Sequence, residues 1–205
     1  IKETWDVMGM RATGSDETIL EGAFIPDDRI VRIVPSGAAG VDLFVLSIFA
    51  WALSGFAAVY LGISERIRDL IIGQVTKKGA LGMTRTMAYH PEVQHKIADI
   101  VMNLEAMAPQ LRELTDDWSN GVDHGPYWVV KIVGTKHNLV EAAWRIADLA
   151  MDVSGGYGMF KKSELERLFR DCRAGRFHPA TSALAHELIG KGVLGIDPDE
   201  QPRWG

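Results

Sequence analysis

The chain is poor in the features that make a function easy to read. It has one cysteine, Cys172, in 205 residues. A lone thiol excludes an internal disulfide framework and fits a reducing compartment, so a cytoplasmic setting is expected. No charge sign dominates: Lys and Arg total 22, Asp and Glu 27, and the signs are well mixed. Such a surface does not draw a polyanion, which argues against a nucleic-acid partner. Internal repeats and low-complexity tracts are absent. The six histidines form no HExxH, and the single Glu92-x-x-His95 run has no second Glu-x-x-His to pair with: His90 and His95 stand five apart, and His137 and His178 stand alone. No metal site is expected from that spacing. There is no G-x-S-x-G elbow for a serine nucleophile. The opening, IKETWDVMGMRATGS, lacks the basic start and apolar core of a signal peptide, and it reads as the interior of a domain.

What is present is ample apolar material, 47% of residues, enough for a sizeable core. In ETILEGAFIP, Ile19, Glu21 and Ala23 alternate with Leu20, Gly22 and Phe24, which predicts a short strand stopped at Pro26-Asp27-Asp28. Residues 1–34 therefore read as a few β-strands at the end of a β-domain. PSGAAG, 35–40, reads as a linker, and the period turns helical after it.

The first helical run, 41–63, has the length and apolarity of a membrane span. It continues as ERIRDLIIGQVTKK, with Ile63, Ile67, Leu70, Ile71 and Val75 on one face and charges opposite. That continuation favours a bundle helix and no membrane partner. Asp42 sits in its first turn, where an acid suits the helix dipole. A second helix is predicted from Pro91, with Val93, Ile97, Ile100, Leu104, Met107, Leu111 and Leu114 as its stripe and a kink at Pro109. A third is expected over about 128–153, ending at Gly155-Gly156. Ser163 and Glu166 have capping-box spacing for a fourth, and Thr181 or Ser182 can cap a fifth through Ile189. Met102, Met107, Trp144 and Met151 read as core. The fold class is thus mainly α: an up-and-down, four-helix-type bundle over 35–196, after a β remnant and before a polar tail at 197–205.

Two stretches carry chemistry. SGGYG, 154–158, is either a helix stop and turn or a place where bare N–H groups approach a phosphate. RDCRAGRFHPATS, 170–182, sets His178 and two hydroxyls between helices; the histidine is either packed beside Phe177 or catalytic.

The order GMRATGSDETILEGAFIPDDRI, ALSGFAAVYLGISER, HPEVQHKIADIVMNLEA, SGGYGMF and ERLFRDCRAGRFHPATS resembles the acyl-CoA dehydrogenase superfamily across almost the whole chain. The resemblance implies the end of a middle β-barrel domain followed by the C-terminal helical bundle. It implies FAD held between subunits of a homotetramer, a dimer of dimers, acting on an acyl-CoA. Gly155 and Gly156 match the turn that meets a neighbouring subunit's cofactor. Lys77, Lys78 and Arg85 are the candidates for its diphosphate, although KKGALGMTR departs from the family's arginine-led run. Thr181 and Ser182 match residues that contact the flavin, and Arg170-Asp171 match a pair that locks the fourth helix to its neighbour.

The activity so implied is α,β-dehydrogenation of an acyl thioester, which needs a carboxylate base. The family's YEGTS-like run falls on HPATS, which puts Pro179 at the glutamate. The other usual position, early in the first long helix, holds no glutamate, only Asp42 nearby. His178 matches a histidine in a related branch, flavin-dependent monooxygenases that take reduced flavin from a separate flavin reductase and act on aromatic substrates. A non-catalytic partner subunit is the third possibility.

Overall fold

The computed structural model describes residues 1–34, 42–79, 81–197 and 200. The expected linker at 35–40 and most of the expected tail lie outside them. Among the described residues there are five α-helices: α1 (Leu43–Val75), α2 (Pro91–Ser119), α3 (Trp128–Ser154), α4 (Glu164–Ala174) and α5 (Ser182–Leu194). Single 3₁₀ turns connect several of them.

Helix α1 starts where Asp42 accepts from the N–H groups of Phe44 and Val45, satisfying two donors of the first turn. Its buried stripe is Ala50, Leu53, Ala57, Tyr60, Ser64, Ile67, Ile71 and Val75, spaced by threes and fours. The opposite side keeps Ile48, Trp51 and Val59 exposed. By length and composition alone α1 passes as a membrane span, yet its stripe is packed against protein.

Direction follows from who meets whom. Leu53 clusters with Leu114 and Ile132, and Gln74 bonds Ser154. Lys96 meets Asp152, and Arg66 meets Glu164. So α1 and α3 run one way, α2 and α4 the other. This is the expected up-and-down bundle. Helix α5 extends the α4 direction along the first half of α3, with Ser182 at Glu141 and Gly192 against Val130. Helix α5 runs past the expected stop at Ile189 to Leu194 and ends at Gly195, which takes a left-handed φ of 69°.

Three local expectations change. The strand at 19–24 does not form; Lys2 and Glu17 make an isolated antiparallel bridge, and Leu20 and Phe24 stay exposed because no partner strand covers them. Ser163 does not close a capping box, because Glu166 is captured by Arg170 at 2.8 and 3.0 Å and by Lys161 at 2.9 Å. Met102, expected in the core, is 63% exposed, while α2 buries Ile100, Leu104, Met107 and Leu114. Pro109 is tolerated within α2.

Arg170 and Asp171 do not lock helix to helix. Arg170 donates to the carbonyl of Met8, and Asp171 accepts from the N–H of Met10 at 2.6 Å, so both hold the N-terminal segment on α4. A side chain at Gly9 would strike the Arg170 carbonyl, and Met10 takes a left-handed φ of 55° there.

Two stability outcomes follow. Gly175 lies against Val140 and Tyr60, with no room for a Cβ. Gly175→Ala is expected to cost about 1–3 kcal/mol by overpacking, read as a lowered urea midpoint. The Arg170 guanidinium, then Lys161, holds the Glu166 carboxyl down at about 2. A lowered folded pKa adds stability that is full above the ordinary value of 4.5 and is lost as pH falls towards about 2. Glu166→Gln should flatten stability against pH across that window; an unchanged acid slope would refute this role.

Candidate functional site

The candidate residues fall into two groups on the bundle. The first surrounds the loop between α4 and α5. His178 stacks on Phe56 with centroids 4.5 Å apart and planes at 6°. Its Nε2 lies 3.0 Å from the Tyr60 hydroxyl. That hydroxyl also reaches the Asp171 carbonyl at 3.4 Å. It has one proton, so when it donates to Asp171 it accepts from Nε2–H. The ring is half-buried, and burial, with the Lys136 charge second, pushes its pKa below the ordinary 6.5. Burial, then Cys172 and Asp171, pushes the Tyr60 phenol up. Both groups are therefore neutral near pH 7.

Beside this pair lies a cavity of about 320 Å³, lined by Trp5, Met8, Met10, Arg173, Phe177 and His178 among others. Thr181 caps α5 by accepting from Leu184 N–H, which leaves its own O–H proton to donate outward. Ser182 donates to Glu141 at 3.2 Å, and Arg176 grips that carboxylate through Nε and Nη2. The Arg176 and Ser182 bonds keep Glu141 charged against the opposing, larger pull of burial. Pro179 is exposed and supplies no acid–base group.

The second group sits at the far end of the bundle, where α3 stops. Gly155 takes a left-handed φ of 61°, and nothing lies within 4 Å of a side chain placed on Gly155 or Gly156. The Lys78 ammonium lies 3.8 Å over the Tyr157 ring, beside this turn. An exposed backbone turn with an adjacent cation fits a diphosphate. Arg85 instead sits over Tyr89 at 5.0 Å, and no described contact joins it to the glycine turn. From Tyr60 to Gln74, α1 rises roughly 20 Å at about 1.5 Å per residue. The two groups thus cannot meet one small ligand on this bundle. Among the described residues no cluster of three or more His, Cys, Asp or Glu could hold a metal.

Sequence reasoning missed Phe56, Tyr60, Lys136, Glu141 and Arg176. Lys136 had left one trace: a cation on the same apolar face of α3 as Val133, Leu139 and Val140.

Residues 54–183 match the family profile described as the acyl-CoA dehydrogenase C-terminal domain. YdbM of Bacillus subtilis strain 168, named for acyl-CoA dehydrogenation, is 27% identical over 93% of this chain and 48% of its own. An amino sugar nitrososynthase of Streptomyces peucetius is 26% identical over 95% of this chain and 48% of its own. The solved structure of XiaF from a Streptomyces species, with FADH2 and glycerol, superposes with a TM-score of 0.81 at 21% identity, covering 98% of this chain and 54% of that one. The chain spans about half the length of the curated relatives it matches.

Exchange of the imidazole C2 proton, followed by mass spectrometry against pH, should place the His178 midpoint below 6.5. A midpoint above it would show that the ring is held as a cation.

Proposed function

Because the chain belongs to the acyl-CoA dehydrogenase family, of which it carries the C-terminal domain, and because Pro179, beside His178, falls where that chemistry would need a carboxylate, we propose that it is the helical part of a flavin-dependent monooxygenase working on reduced flavin and O2. The carrying observation is the neutral His178 that lines the cavity and bonds the buried Tyr60 behind it. The carboxylates near this loop are engaged: Glu141 by Arg176 and Ser182, and Asp171 by Met10 N–H.

Flavin, when bound, supplies the two-electron and oxygen chemistry that side chains lack. This chain's residues orient and exchange protons. A neutral imidazole at the cavity accepts a proton from a substrate hydroxyl or amine, and Tyr60 fixes its edge. Thr181 offers an outward O–H to the cofactor. Lys78 and the turn at Gly155 and Gly156 offer a cation and open backbone to a diphosphate. Their distance from His178 is consistent with two flavins per pair of subunits, each shared across an interface of a homotetramer. The substrate class is an aromatic small molecule, with a flavin reductase as partner, in the cytoplasm. Residues 1–34 are assigned to the end of a preceding β-domain. The relative named as an amino sugar nitrososynthase supports a reaction other than acyl-CoA dehydrogenation for this chain.

The second reading is dehydrogenation of an acyl-CoA, favoured by the family profile and by YdbM. It needs a base from outside the residues around His178.

The full-length protein, given a flavin reductase, NADH and oxygen, should oxygenate phenolic or amine substrates. His178→Ala should lower that rate about 100-fold or more while leaving flavin affinity nearly unchanged. Anaerobic turnover of an acyl-CoA with a ferricenium acceptor, at wild-type rate in His178→Ala, would establish the dehydrogenase instead.

A further inference from the structure

Lys136 is 2% exposed on α3, among Val133, Leu139 and Val140. Its ammonium donates to the carbonyls of Gly175 at 3.1 Å, His178 at 3.2 Å and Ala180 at 2.8 Å. An ammonium has three protons and no acceptor, so its capacity is filled by one loop. No neutral side chain offers three donors from one atom. Among the described contacts no carboxylate hydrogen-bonds to it, so the loop carbonyls are what compensate this buried charge. Removing it would leave three carbonyls of that loop without this donor. All three acceptors lie in the stretch that carries His178 and leads into Thr181.

We propose that Lys136 is the positioning residue of this site: it draws the 175–180 backbone onto α3 and thereby sets the His178 imidazole against Phe56 and Tyr60. The proposal rests on the reading of His178 given above. It explains why a bend containing Gly175 and Pro179, with Phe177 69% exposed, holds one ring flat on another. The titratable and charged groups around the imidazole are Tyr60 from α1, Lys136 from α3, and Arg170 and Arg173 from α4. The Glu141–Arg176 pair flanks the loop. Trp5, Val7, Met8 and Met10 of the N-terminal segment line the cavity without charge. Removing Lys136 therefore takes away the cation that opposes protonation of His178 and the clamp on its backbone together.

The test uses the full-length protein. In Lys136→Met, amide exchange across 175–181 should speed up about tenfold or more, with the α1 and α2 core within about twofold of wild type. The His178 midpoint, from C2-proton exchange, should rise, and the pH profile of oxygenation should move with it. Lys136→Gln keeps two donors without the charge: its loop exchange should be intermediate and its midpoint should match Met. If Met does not fold, Gln carries the test. Loop exchange and His178 midpoint both at wild-type values would overturn the proposal. His178→Ala is measured alongside. If it leaves oxygenation unchanged while Lys136→Met loosens the loop, the functional reading fails and the clamp stands. If it abolishes oxygenation while Lys136→Met alters neither exchange nor pH profile, the positioning role alone fails.

Discussion

The structure depends on the burial of α3. Ile132, Val133, Leu139, Val140, Ala143, Ile146, Ala147, Ala150 and Val153 are all withdrawn from water. Each of the other four helices packs on it. A helix covered this widely leaves little choice for its neighbours: α1 and α2 take one side, and the α4–loop–α5 unit must close over the rest. Small residues at Ala143, Ala147 and Ala150, each fully buried, let those neighbours approach closely. The loop that carries His178 is therefore laid along a surface whose one buried cation, Lys136, is already in place.

Electrostatics then shape the site by removing negative charge from it. The nearby acids are spent on structure: Glu141 on Arg176, Asp171 on the Met10 backbone, Glu166 on Arg170 and Lys161. What faces the cavity is the His178 imidazole, kept neutral by burial and bonded to the buried Tyr60 phenol, with Arg170 and Arg173 as the charged lining. The same clasp on Met8 and Met10 that holds the N-terminal segment also builds one wall of the cavity. Packing and chemistry share residues here, so a change at Arg170 or Asp171 touches both.

Much of the bundle was legible because helical periodicity is a local signal. The α2 stripe from Val93 to Leu114 and the lower α1 stripe at Ile67, Ile71 and Val75 point inward as their spacing implies. Met102 fell outside because a methionine on a helix says nothing of which face it occupies. The Ser163–Glu166 spacing misled because Arg170, one turn on, and Lys161 compete for the same carboxylate. The strand at 19–24 was a pattern without a partner, and pairing is a non-local requirement.

The site divides in the same way. The sequence alone determined the helices, their order, the glycine stop after α3, and a proline, Pro179, with no acid–base group beside His178; each is written in adjacent residues. Only the tertiary structure decided that Phe56 and Tyr60, more than a hundred positions away, flank His178, that Lys136 ties its loop, and that Lys78 but not Arg85 joins the glycine turn. Those facts depend on which turns of separate helices come level. That level is set by the packing of whole faces, which no short stretch of chain encodes.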